Sequence, residues 1–233
     1  YCDGAVHARS LHAPRRQAEI LLPLFDELLA EAGVARSGID GIAFGRGPGA
    51  FTGVRLAVSV AQGLALALDR PVLPVSTLAA LALAAPREAA TILAVLDARM
   101  GEVYAGAFRR SGEDALELIG EESVGFAEAV VLPQAASWFG VGSGWGAYAT
   151  ALRARLGITP LSGVDAAAQP EAAAVACLAA PLFAASGGMP GCTGTAGVSA
   201  RQGCAYARRA RHRLSALSRT CCSRSSGRWR SRP

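Results

Sequence analysis

"FGRGPGAFTGVRLAVSVAQGLALAL", Phe44 to Leu68, places a glycine-rich turn directly ahead of a long apolar run at helical spacing. With "IDGIA" before it, the stretch reads as a buried strand, Gly41 to Gly45, entering a tight turn at Gly47-Pro48-Gly49. Thr52 then stands as the N-cap of a helix to Leu68. Such a turn is a ready anion site, because unpaired backbone N–H groups and the positive end of the helix dipole point the same way. The surrounding residues argue against a nucleotide. A phosphate loop ends in Gly-Lys-Ser/Thr, whereas Phe51, Thr52 and Gly53 stand here with no lysine. The dinucleotide fingerprint needs an acidic residue about twenty positions on, at the end of a following strand, and none is there. Both readings stay open, with the tight strand-to-helix connection ahead of the phosphate site.

The helix carries its own signal. Val54, Ala57, Val58, Ala61, Leu64, Ala65 and Leu68 form a broad apolar stripe, and Gly53, Ala57, Ala61 and Ala65 form a row of small residues that lets another helix approach closely. Its polar positions are few: Arg55, Ser59 and Gln62. A helix so apolar around its circumference is either enclosed by its own domain or shared with a partner.

Outward from this stretch, strands and helices alternate. Ile20, Leu21, Leu24, Leu28 and Leu29 recur at helical spacing from Gln17 to Ala32, with Gly33 placed to stop the helix and Pro23 to kink it or mark a late start. Asp3-Gly4 is a hairpin turn within Tyr1 to Ala8. "PVLPVS" is a second short strand and "TLAALALAA" a small-residue helix. "ATILAVLDAR" and "GEVYAGAFR" are two strands joined as a hairpin at Arg99 to Gly101. Beyond Ser111, "SWFGVGSGWGAY" supplies a strand and another glycine-rich turn, and "PEAAAVACLAAPLFAA" an Ala-rich helix with Pro170 at its start. The alternation predicts an α/β fold. From Gly187 only Gly, Ser, Cys and Arg dominate, without apolar periodicity, which predicts a disordered basic tail.

At 233 residues, 52% of them hydrophobic, with mean hydropathy +0.30, the chain has material for one large domain or two small ones. Gly, Pro, Arg or acidic residues interrupt every candidate membrane span and no leader opens the chain, so a soluble, cytoplasmic protein without a membrane partner is expected. All eighteen acidic residues lie at or before Glu171; with thirteen arginines the body carries −5, and ten further arginines give the tail +10. Every basic residue is Arg, which suggests GC-rich coding more than a selected surface. The six cysteines form no CxxC pair and support neither zinc nor a disulfide framework.

Catalytic constellations are scarce. His7, His12 and His212 make no HExxH-type pair, and no nucleophile elbow is present. Asp97 and Glu102 flank the hairpin turn, where carboxylates are more often capping or solvated groups than an acid/base pair. The chain is therefore expected not to be an enzyme by itself.

"GIAFGRGPGAFTGVRLAVSVAQGLALAL", "PVLPVSTLAALA" and "LDARMGEVYAGAF" closely resemble the bacterial TsaB (YeaZ) family, and "RRQAEILLPLFDELLAEAGV" resembles its first helix, with Gln17 where His is expected. The resemblance runs from about Tyr1 to Ala185. It implies an actin-like (ASKHA) duplicated α/β fold: an N-terminal domain, 1–105, carrying the partner-binding helices, and a smaller, degenerate C-terminal domain, 106–186, followed by the tail, 187–233. It also implies a non-catalytic scaffold in threonylcarbamoylation of tRNA adenosine beside the anticodon. The expected partners are a TsaD-like paralogue and a TsaE-like ATPase; homodimers are possible, and tRNA is met through the complex. Cofactors are expected to be none in this chain, with ATP and metal on partner subunits. The alternative is an ATPase or peptidase-like enzyme of the actin-like superfamily. The expected partner face is Leu21, Leu24, Leu28, Thr52, Arg55, Ala57, Val58, Ala61 and Ala65, aimed by the turn Gly47, Pro48, Gly49 and Gly53. Two departures stand out. The family's first strand, with its acidic-Thr-Ser/Ala-Thr turn, is absent ahead of Tyr1, so the sheet is expected to lack it. The tail replaces a family ending like "LPVYLRDKVA", which Thr195 to Cys204 spell when suitably chosen codons are read one nucleotide later; the segment after about Gly188 is thus expected to be out of frame.

Overall fold

Glycines and a few left-handed residues set the breaks between elements. Asp3 (φ 48°) and Gly4 (φ 87°) close a small bridge between Cys2 and Ala5, as the Asp-Gly pair predicts. Helix α1 (Gln17–Ala32) ends at Gly33, whose φ of 66° lets the Val34 N–H donate back to the Leu29 carbonyl at 3.0 Å. The helix runs through Pro23, which is exposed, so water can serve the carbonyl the proline leaves unpaired. The computed structural model describes residues 1–186 except 12, 14 and 15. The tail expected to be disordered and out of frame lies outside the described residues.

After α1 come β1 (Ile42–Gly45), α2 (Phe51–Leu68), β2 (Val72–Val75), α3 (Thr77–Leu83), β3 (Thr91–Arg99), β4 (Glu102–Arg110), β5 (Leu116–Leu118), β6 (Ser123–Phe126), β7 (Trp138–Val141), α4 (Ser143–Leu156), β8 (Leu161–Asp165) and α5 (Ala172–Ser186). β1 and β2 pair in parallel, Ile42 opposite Val72, as a two-stranded sheet. A second sheet has the order β5-β4-β3-β7-β8, with β6 beside β5 along the same edge of β4. β3 and β4 are the expected hairpin. Arg99, Met100 and Gly101 (φ 72°, 55° and 86°) make its turn, and Met100 projects from the tip with 95% of its surface exposed. β4 runs through residue 105, so the division expected between 105 and 106 falls inside a strand.

One arrangement occurs twice: strand, glycine-rich turn, helix, parallel strand, helix. β1–α2–β2–α3 is the first copy and β7–α4–β8–α5 the second. They differ at one edge. β7 is flanked by β8 and, also in parallel, by β3. Among the described residues β1 pairs with β2 alone.

The pleat sorts side chains to the two faces of each sheet. Phe44 and Val72 meet α2, whereas Leu73 and Val75 meet Ala80 of α3 and Leu178 and Ala179 of α5. In the larger sheet Leu93 and Val95 pack with Trp145 and Leu152 of α4; Ile92 and Ala94 pack with Leu78, Leu81 and Ala82 of α3. Helix α3 thus serves both sheets and is buried nearly all round, which accounts for its apolar sequence. α5 begins at Ala172, its first turn closed by Val175 N–H on the Glu171 carbonyl, so Pro170, expected at the start of the helix, lies two residues before it. The absence of a membrane-length apolar run needs correcting: α2 is long and apolar enough to cross a membrane by length and composition. On one side it packs on β1 and β2 through Ala61 and Ala65; its other side is left open among the described residues.

Candidate functional site

The short apolar strand β1, ending at Gly45, delivers Arg46 and the glycine turn to the end of the small sheet. Arg46 N–H donates to the Val75 carbonyl at 2.8 Å, and the Gly47 carbonyl accepts from Thr77 N–H at 2.9 Å, so the turn is laced to the β2–α3 junction. Gly47 is buried with φ 90°, and a Cβ there would sit 3.4 Å from a Val54 methyl. Glycine alone suits this place without strain. Arg46 points inward to an ion pair with Glu122 at 2.8 Å, both side chains being largely covered at 19% and 15% exposure. Glu122 also accepts from the Ser76 hydroxyl. The nearest cation to the turn is therefore committed to a carboxylate, which weakens the phosphate reading further.

Thr52 is not the N-cap. Helix α2 starts at Phe51, the Ala50 carbonyl already accepting from Val54 N–H at 3.0 Å, and Thr52 is an exposed first-turn residue. Ala61 and Ala65 need a larger correction. Both are buried, at 4% and 1% exposure, against Phe44 and Val72, with Val58 and Ile42 beside them. The row of small residues lets the helix lie close on its own sheet and leaves these alanines unavailable to a partner. Val58 and Ala57 are half-buried. The open side of α2 carries Phe51 (67% exposed), Thr52, Arg55 and Leu66 (66% exposed), the Arg55 guanidinium lying 3.5 Å from the Phe51 ring centre. Gly53 is exposed too, with open space where a Cβ would be, whereas Pro48 and Gly49 are half-buried. On α1, Leu21 is exposed, Leu24 and Leu28 are half-buried, and no residue of this helix is fully buried. Leu22, which periodicity did not single out, is exposed as well.

The second glycine-rich turn, after β7, is filled by protein. Trp145 lies so close over Gly140 that an added Cβ would meet its ring at 2.4 Å, and its indole N–H donates to the Leu93 carbonyl at 3.1 Å. At Gly142 a Cβ would lie 2.5 Å from the Val95 carbonyl. Asp97 acts as a turn cap: its carboxylate accepts from Arg99 N–H at 2.8 Å and from the Tyr148 hydroxyl at 3.3 Å. Among the described residues no group of three or more His, Cys, Asp or Glu is placed to hold a metal ion.

The family model for TsaD, tRNA N6-adenosine threonylcarbamoyltransferase, matches residues 11–185. The solved structure of YeaZ from Pseudomonas aeruginosa is 47% identical, with a TM-score of 0.70, covering 78% of this chain and 83% of that one. The chain belongs to the TsaB/YeaZ family. Its α/β fold is accordingly the actin-like one. Curated relatives agree: the tRNA threonylcarbamoyladenosine biosynthesis protein TsaB of Escherichia coli (strain K12) is 39% identical over 157 residues, 63% of this chain and 65% of that protein. The protein of the same name from Haemophilus influenzae is 40% identical over 158 residues, 64% of this chain and 66% of its own length. The chain thus spans slightly under two thirds of the length of these TsaB relatives.

Proposed function

We propose that this chain is a non-catalytic partner subunit in the synthesis of threonylcarbamoyladenosine on tRNA, using the open side of α2 together with α1 to bind a TsaD-like paralogue. The observation that carries the reading is α2 itself: of eighteen mostly apolar residues only Ala61 and Ala65 are buried, and Phe51 and Leu66 stand in solvent. Exposed apolar area of this kind on a soluble domain marks a docking surface. The names of the TsaB relatives supply the process. In this scheme the chemistry, the ATP and the metal belong to the partners, a TsaE-like ATPase among them; tRNA is met through the complex, in the cytoplasm, and a second copy of the chain occupies the face when the paralogue is absent.

The test is calorimetric titration of the full chain with the TsaD-like paralogue from the same cells. Wild-type protein should bind, and Leu66→Glu, folded because the position is exposed, should bind at least about tenfold more weakly, a buried unpaired charge costing more than the corresponding ~1.4 kcal/mol. Phe51→Ala, which removes the exposed ring without adding a charge that Arg55 could pair, should weaken binding as well. Absence of wild-type binding, or ATP hydrolysis by the purified chain alone, would overturn the proposal.

A further inference from the structure

We propose that Glu122 is a positioning residue that fixes the direction of α2. This inference rests on the reading of α2 as a partner face. The Glu122 carboxylate is engaged at both oxygens: Oε2 accepts from the Arg46 guanidinium at 2.8 Å and Oε1 accepts from the Ser76 hydroxyl. Arg46 begins the glycine turn that leads into α2. Ser76 is the N-cap of α3, its Oγ accepting from Leu78 N–H at 3.1 Å and Ala79 N–H at 3.2 Å. Glu122 comes from the connection between β5 and β6, strands of the larger sheet, whereas the turn's backbone bonds go to Val75 and Thr77 beside the small sheet. One side chain thus ties the start of α2 and the start of α3 to the sheet to which β1 does not belong.

The chemistry suits a rigid tie. Hydrogen bonds to an ionised carboxylate strengthen where water is scarce, and two of them converge here. Without the carboxylate, Arg46 is left covered and unpaired, and its cheapest escape is to turn outward to water, which drags the glycine turn with it. The strand-to-helix turn that resembles a phosphate loop is, by this account, held from the inside by an anion the protein itself supplies.

The test uses the full chain with Glu122→Gln, Arg46→Lys and, as a control for general loss of stability, Leu152→Ala, on the buried side of α4. Hydrogen exchange is followed at the amides of Val54 to Val60, each protein being held equally far below its own melting temperature. Glu122→Gln should speed exchange there by about tenfold, the equivalent of one charge-assisted hydrogen bond, while Arg46→Lys, which keeps a cation for Glu122, stays near wild type. Exchange in Glu122→Gln no faster than in Leu152→Ala would overturn the proposal, as would equal acceleration by Arg46→Lys. Affinity for the TsaD-like paralogue should fall about tenfold in Glu122→Gln. If the wild-type chain does not bind the paralogue, the functional reading fails, and the exchange measurement still decides the role of Glu122.

Discussion

Ala61 separates the two sides of α2. Because its methyl faces Phe44 and Val72, Ala61→Arg drives a charged side chain into a closed contact, and a cost of about 3 kcal/mol or more is expected from overpacking and charge burial together. Thermal denaturation followed by circular dichroism should show a large fall in melting temperature, whereas Phe51→Glu, on the open side, should melt close to wild type. Glycines divide in the same way. At Gly47 a Cβ strains the backbone but meets only a movable Val54 methyl, so Gly47→Ala should cost roughly 1–3 kcal/mol. At Gly142, with φ 101°, the added carbon runs into the Val95 carbonyl and a Leu81 methyl, so Gly142→Ala should be the more damaging of the two in chemical denaturation. Burial and the negative charge of Asp114 push the Cys177 thiol up. Less of it is thiolate near neutral pH, and its alkylation by iodoacetamide, followed by peptide mass spectrometry, should be slower than that of free cysteine.

Among the elements, α1 carries a proline in its interior and buries no residue, so little packing offsets the proline's cost of about 3 kcal/mol. Pro23→Ala should raise the helix signal and slow amide exchange along α1 while leaving the strands unchanged. The helix was legible because its leucines keep helical spacing and Gly33 ends it, and the β3–β4 hairpin because both strands are long and a left-handed turn separates them. Other elements were hidden for physical reasons. β5, β6 and β8 are three to five residues long, with too little apolar alternation to signal a strand. α4 has glycines at two of its first four positions, 144 and 146, and its start is packed by Trp145 seating over Gly140, a contact made only in three dimensions. What covers α2 was equally hidden: periodicity picks out the stripe with Ala57, Ala61 and Ala65, and only the fold shows that Phe44 and Val72 of the same chain cover it. Glu122, 76 residues from Arg46, left no trace in the sequence.

At the scale of the molecule, the small sheet has four residues in each strand and the larger sheet has nine in each of β3 and β4. Short two-stranded sheets are marginal on their own, so β1 and β2 should open at lower free energy than β3 and β4, visible as earlier amide exchange in rising denaturant. A complex formed through α1 and α2 should slow exchange in α1 and in the open side of α2 first. The hairpin tip offers an independent witness. Met100 is almost wholly in solvent, and the protein's other methionine, Met189, lies outside the described residues. Dilute peroxide oxidises accessible thioethers, so conversion of Met100 to its sulfoxide is a built-in footprinting clock, read by a peptide mass increase. If the paralogue docks on α1 and α2 alone, that clock keeps its free-protein rate in the complex; if it slows, the contact reaches the β3–β4 turn as well.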